Sequence, residues 1–90
     1  MSYEIILNEL ISNISHPLKS GLELELALKA KLTKKELKLL KALSSGLSKE
    51  DIQKELNFSE QEFLRVNSNL VKKLNQERVK QALYNLRDDR

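Results

Sequence analysis

Gln61, Arg65, Ser68 and Lys72 stand four, three and four residues apart, the spacing that aligns side chains along one face of an α-helix. The chemistry such a face offers is hydrogen bonding to nucleic acid. An arginine can clasp guanine bidentately, a glutamine can address adenine, and a serine and a lysine can reach phosphate oxygens. The complementary stripe, Phe63, Val66, Leu70 and Leu74, is apolar and would turn inward at 100° per residue. The same four outward positions would equally suit an ordinary solvated helix face.

Charge is unevenly placed along the chain. Residues 1–31 set Lys19, Lys29 and Lys31 against Glu4, Glu9, Glu23 and Glu25, whereas Lys34, Lys35, Lys38 and Lys41 crowd the next segment with only Glu36 opposing them. The net charge of +3 therefore sits mainly in the middle of the chain. Phosphate contact, with Lys35 and Lys49 among the contributors, is one reading of this excess; a solvated lysine-rich surface is the other.

Other chemistries find little to work with. There is no cysteine, and the single histidine, His16, sits beside Pro17 without a second imidazole, so neither a disulfide framework nor a metal site is expected. Two glycines leave no phosphate-cradling loop, and the serines have no histidine placed to activate them. The expectation is a protein that is not an enzyme and carries no cofactor. Apolar runs fall short of the roughly 18 residues a membrane span needs. The start Met1-Ser2-Tyr3-Glu4 lacks the basic residues of a signal peptide, so the chain is expected in the cytoplasm.

The elements that must position the face are announced by a repeated device, a hydroxyl residue followed three positions later by an acid. It occurs as Ser20 with Glu23, Thr33 with Glu36, Ser48 with Asp51 and Ser59 with Glu62. Each hydroxyl can accept a first-turn N–H while the acid folds back on the cap, so each predicts a helix start. Apolar residues Tyr3, Ile6, Leu7, Leu10, Ile11 and Ile14 predict an earlier helix over 3–14, and Val79, Ala82, Leu83 and Leu86 a last one over about 76–86. Gly46 is placed to end one helix in left-handed geometry, and Asn57 to do so in the turn between Ser48 and Ser59, with Phe58 plugging the gap. Only a short helix and a three-residue turn fit there, which is helix-turn-helix spacing.

Residues 22–32 alternate apolar and polar side chains, the usual mark of a strand. Helix is favoured because the segment is built of Leu, Glu, Ala and Lys, with no β-branched or aromatic residue and no second strand to pair with. As a helix it carries Leu22 and Leu26 on one side and Leu24, Leu28 and Leu32 on nearly the opposite side. Leu22 and Leu26 therefore suggest self-association, unless both stripes are buried within one chain.

From Leu32 to Leu74 the sequence resembles the LuxR/GerE-type DNA-binding domain, a four-helix bacterial module. The family's opening Leu-Thr with a Glu three residues on is matched by Leu32, Thr33 and Glu36, followed by the apolar pair Leu39 and Leu40. Its Gly-Leu-Ser is Gly46-Leu47-Ser48, its acid-Ile pair is Asp51-Ile52, and Leu56, Phe58-Ser59, Ser68-Asn69, Lys73-Leu74 and Arg78 complete the pattern. The pattern departs at Gln53, where the family has a small residue, at Glu62-Phe63-Leu64, where it has Thr-Val-Lys, and at Val66, which replaces a histidine or similar residue. Glu60 and Glu62 also bring negative charge to the helix end that should approach phosphate. The resemblance implies that residues 59–74 are a recognition helix, that Leu64 and Asn69 join Gln61, Arg65, Ser68 and Lys72 at DNA, and that Val79, Leu83 and Leu86 contribute to a dimer contact.

The expected molecule is all-α, a small helical domain of five to six helices with a tetrahelical LuxR/GerE-like helix-turn-helix core. Residues 1–31 would form a self-associating helical extension, 32–87 the helix-turn-helix domain and 88–90 a frayed tail. The expected function is DNA-binding transcriptional regulation by a bacterial homodimer on duplex DNA, without a membrane. The alternative is a protein-interaction module that keeps the scaffold and uses Leu64 and its neighbours to meet a protein partner.

Overall fold

Side-chain capping marks where the helices after Thr33, Ser48 and Ser59 begin. In the computed structural model, which describes residues 3–85, six helices follow in order: α1 (Glu4–Leu10), α2 (Gly21–Lys31), α3 (Lys34–Ser44), α4 (Lys49–Leu56), α5 (Glu60–Leu74) and α6 (Glu77–Leu83). Thr33 closes a full capping box, its hydroxyl accepting from Glu36 N–H at 3.2 Å while the Glu36 carboxylate accepts from Thr33 N–H at 3.0 Å. Ser48 and Ser59 complete the hydroxyl half, accepting from Asp51 N–H at 3.2 Å and from Glu62 N–H at 3.1 Å. Ser20 makes no side-chain cap bond, so the first of the four expected boxes does not form. Residues 22–32 fall into α2 and its C-terminal residue, which settles the alternating pattern as helix.

Helix ends follow the left-handed residues. Gly46 at φ +82° lets its own N–H reach Leu43 C=O (3.0 Å) and Leu47 N–H reach Ala42 C=O (3.3 Å). Asn57 at φ +58° does the same for α4, with Phe58 N–H on Gln53 C=O at 2.9 Å. α1 stops at Leu10, short of the expected 14, because the Asn75 side chain takes the backbone beyond it: its amide donates to Leu10 C=O at 2.9 Å and its oxygen accepts from Ser12 N–H at 2.7 Å. α6 stops at Leu83, short of the expected 86, because extended Tyr84 pairs antiparallel with Leu18. That pairing is flanked by Lys19 N–H on Leu83 C=O (2.8 Å) and Asn85 N–H on Pro17 C=O (2.7 Å).

One core runs through the described residues. Tyr3, Leu7 and Ile11 of the N-terminal segment and Leu24, Leu28 and Leu32 of α2 and its end are buried in the same cluster as Leu39, Leu40, Ile52, Phe63, Leu70, Leu74 and Leu83. α3 is the hub, packing on α1, α2, α4 and α5, while α6 closes against α2 and α5. Residues 1–31 are therefore not an appendage: the segment described within them completes the core that the expected division assigned to 32–87. Val79 and Leu83, expected at a dimer contact, are corrected likewise, since both are buried against the chain's own α2 side. Leu86 and the tail at 88–90 lie outside the described residues.

No helix among the described residues is long and apolar enough to cross a membrane.

Candidate nucleic-acid interface

The inward stripe of α5 anchors the candidate face. Phe63, Val66, Leu70 and Leu74 are all buried, as the periodicity requires, and α5 packs with α4 on α3. Between α4 and α5 lie only residues 57–59, with Phe58 buried beneath the turn. The rotation of α5 is thereby set. Gln61, Leu64, Arg65, Ser68, Asn69 and Lys72 are all exposed, and at 100° per residue they cover an arc of about 140°. Leu64 is the apolar exception on that face, 52% exposed.

Two acid–base pairs border the N-terminal end of this arc, one on each edge. Glu60 carries Lys49 at 2.6 Å, and Glu62 carries Lys35 and lies 3.7 Å from Arg65 Nη2. The Lys49 ammonium also sits 5.6 Å from the centre of the Phe63 ring. Lys35 and Lys49, expected to reach phosphate, are thus engaged by carboxylates of the very helix they flank. Such exposed pairs are each worth only about 0.2–1 kcal/mol, so both lysines can be re-aimed at small cost. Glu62 does not close the Ser59 capping box as expected, because its carboxylate serves Lys35 and Arg65.

Beyond Glu62, α5 holds Arg65, Lys72 and Lys73 and no acid. Arg65 and Lys72 project from the exposed face. Lys73 turns the other way and meets Glu36 at 2.9 Å, where the carboxylate is 6% exposed. Glu36 therefore has two duties, capping α3 and pairing across to α5. The capping signal revealed the first duty; nothing in the local sequence distinguished Lys73 from Lys72 except its place on the inward edge of the helix.

Asn75 is the other residue that sequence reasoning missed. Besides its bonds to Leu10 and Ser12, its amide donates to Val71 C=O at 2.8 Å, so one side chain joins the end of α5 to the segment after α1. Beside it, the buried Lys80 ammonium donates to Ser12 C=O at 2.8 Å. These bonds hold the end of α5 opposite the candidate face's acidic border.

His16 lies edge-on to Tyr84 at 5.0 Å, and no cluster of three or more metal-ligating side chains occurs among the described residues. Among the described residues, Tyr3 is the group whose titration is displaced. Burial, then the charge of nearby Glu25, hold its phenol above the usual tyrosine range, against an opposing influence of Lys41. This group lies at the contact of α1 with α3, where Lys41 and Glu25 approach to 3.4 Å.

Comparison with protein-family models, with curated proteins and with solved structures returned no match to this chain.

Proposed function

We propose that the chain is a transcriptional regulator of the LuxR/GerE type that binds duplex DNA as a homodimer, with α5 as recognition helix and Leu22 and Leu26 at the dimer contact. The observation that carries this reading is the exposed arc of α5: Gln61, Arg65, Ser68, Asn69 and Lys72 behind a three-residue turn on a rigidly packed helix. A helix so presented suits the major groove, where arginine and glutamine read base edges and lysine and serine reach phosphate. Twofold pairing would repeat that face for two half-sites of a palindromic operator. Residues that carry the family resemblance also support one another here, since Thr33 and Glu36 form the α3 cap and Glu36 pairs with Lys73.

The test is an anisotropy titration of the full chain against labelled random duplex across salt concentrations. Binding should weaken steeply with salt, with a logarithmic slope of about 0.9 per phosphate contact. Lys72→Ala should reduce that slope by about one, and Arg65→Ala should relax preference at a selected site by roughly 1–3 kcal/mol. Absence of salt-dependent binding at low ionic strength overturns the reading.

A second reading is favoured by Leu64, 52% exposed between two neutralised acid–base pairs. On it, this end of α5 meets an apolar patch of another protein. Leu64→Lys separates the two: it should tighten DNA binding and steepen its salt dependence on the first, and abolish partner binding on the second.

A further inference from the structure

α2 is apolar on two sides, and the fold uses only one. Leu24 and Leu28 are buried against the chain's own core, while Leu22 and Leu26 are 73% and 56% exposed. Together with exposed Glu23, Lys29 and Ala30 they make one continuous strip at three- and four-residue spacing, turned away from α3 and α6. The strip has a polarity. Its acid, Glu23, lies in the first turn of α2 and its base, Lys29, in the last.

We propose that this strip pairs antiparallel with the same strip of a second copy, about a twofold axis passing beside Leu26. In that register residue numbers across the interface sum to a constant. Leu26 meets Leu26, Leu22 of each copy meets Ala30 of the other, and Glu23 of each meets Lys29 of the other. A parallel pairing would instead stack Glu23 on Glu23 and Lys29 on Lys29, which like-charge repulsion opposes. Ala30 leaves room for Leu22, a large-against-small match that lets two helices approach closely. The strip is thus self-complementary in shape and in charge, which is the requirement of an isologous twofold contact.

α2 is 11 residues long, about 16 Å of helix. Its pairing alone falls below the roughly 1,200 Å² of a stable interface, so dissociation in the micromolar range is expected.

This inference rests on the dimer half of the proposed function and is independent of DNA binding. Sedimentation velocity of the full chain across about 1 to 100 µM reads it. The wild-type chain should show a concentration-dependent monomer–dimer equilibrium. Leu26→Asp should be monomeric throughout with unchanged helical circular dichroism, because the side chain it replaces contributes little to the chain's own core. Glu23→Lys and Lys29→Glu should each raise the dissociation constant at least about tenfold, and the double variant should restore it. A wild-type chain that stays monomeric overturns both this pairing and the dimer reading. A dimer that survives Leu26→Asp, or charge-swapped chains whose double variant is not restored, overturns the pairing and leaves the dimer reading standing.

Discussion

Replacing Asn75 by alanine tests how the two ends of the helical array are held together. The side chain makes three hydrogen bonds: from its amide to Leu10 C=O (2.9 Å) and Val71 C=O (2.8 Å), and from Ser12 N–H to its oxygen (2.7 Å). Val71 C=O retains the Asn75 backbone N–H at 3.1 Å after truncation, so two bonds are lost without replacement. At about 0.5–1.5 kcal/mol each, the expected loss is about 2 kcal/mol. With a urea slope of about 1 kcal/mol/M for a small domain, the midpoint should fall by about 2 M at unchanged slope. Asn75→Asp should be worse than alanine, although it is closer in shape. It keeps the acceptor for Ser12 but turns a carboxylate oxygen toward two carbonyls. Urea titrations followed by circular dichroism measure both. A midpoint shift below about 0.3 M for alanine, or an aspartate no worse than alanine, would refute the bridging role assigned to this residue.

The remaining predictions concern the core and its charges. Lys73→Met should cost roughly 3 kcal/mol by stranding the buried Glu36 carboxylate, and adding Glu36→Gln should recover part of that loss in a double-mutant cycle. Phe63→Ala should cost about 3–5 kcal/mol in the same assay, whereas a loss under about 1 kcal/mol would mean that α5 presents a different face. Tyr3 has a folded-state value raised by burial and by Glu25, so its contribution is complete below the unfolded tyrosine value of about 10 and is lost as pH rises through the folded value. Tyr3→Phe should therefore flatten the alkaline fall in the urea midpoint. Deletion of residues 1–31 removes the buried Leu7, Leu24 and Leu28, and the remainder should lose cooperative unfolding by circular dichroism.

Local signals read well where the determinant was local. Thr33 with Glu36, Ser48, Ser59, Gly46 and Asn57 punctuate the chain because caps and left-handed residues act within a turn of themselves. The inward set on α5 followed from period alone, and with it the outward positions. Apart from the local Ser20 box, which does not form, readings failed where a distant partner intervened. The 3–14 periodicity continues past Leu10, but Asn75, more than 60 residues away, claims the backbone there. The pattern that suggested helix to residue 86 yields at Tyr84 to pairing with Leu18. Apolar alternation at 22–32 told that α2 has two stripes, yet could not tell that α6 covers one of them. Likewise the charge count made Lys35 and Lys49 look available, because the pairing of Glu62 and Glu60 with them is set by how α3, α4 and α5 meet.

The seam that joins residues 10–19 to residues 75–85 also sets an order of assembly. Its bonds span 63 to 69 residues, as between Ser12 and Asn75, Lys19 and Ala82, and Ser15 and Tyr84. Closing a loop of that length costs about 4 kcal/mol of chain entropy before any contact rewards it. α3, α4 and α5 can find one another through short connections, so they are expected to form the early nucleus, with the seam closing last. During synthesis, α3 can meet α2 early, but the part of the α2 cover that α6 supplies is expected only after α6 leaves the ribosome. In the finished molecule the same seam is expected to open first, so that amide exchange at Lys19 and Tyr84 should outpace exchange along α3 and α5.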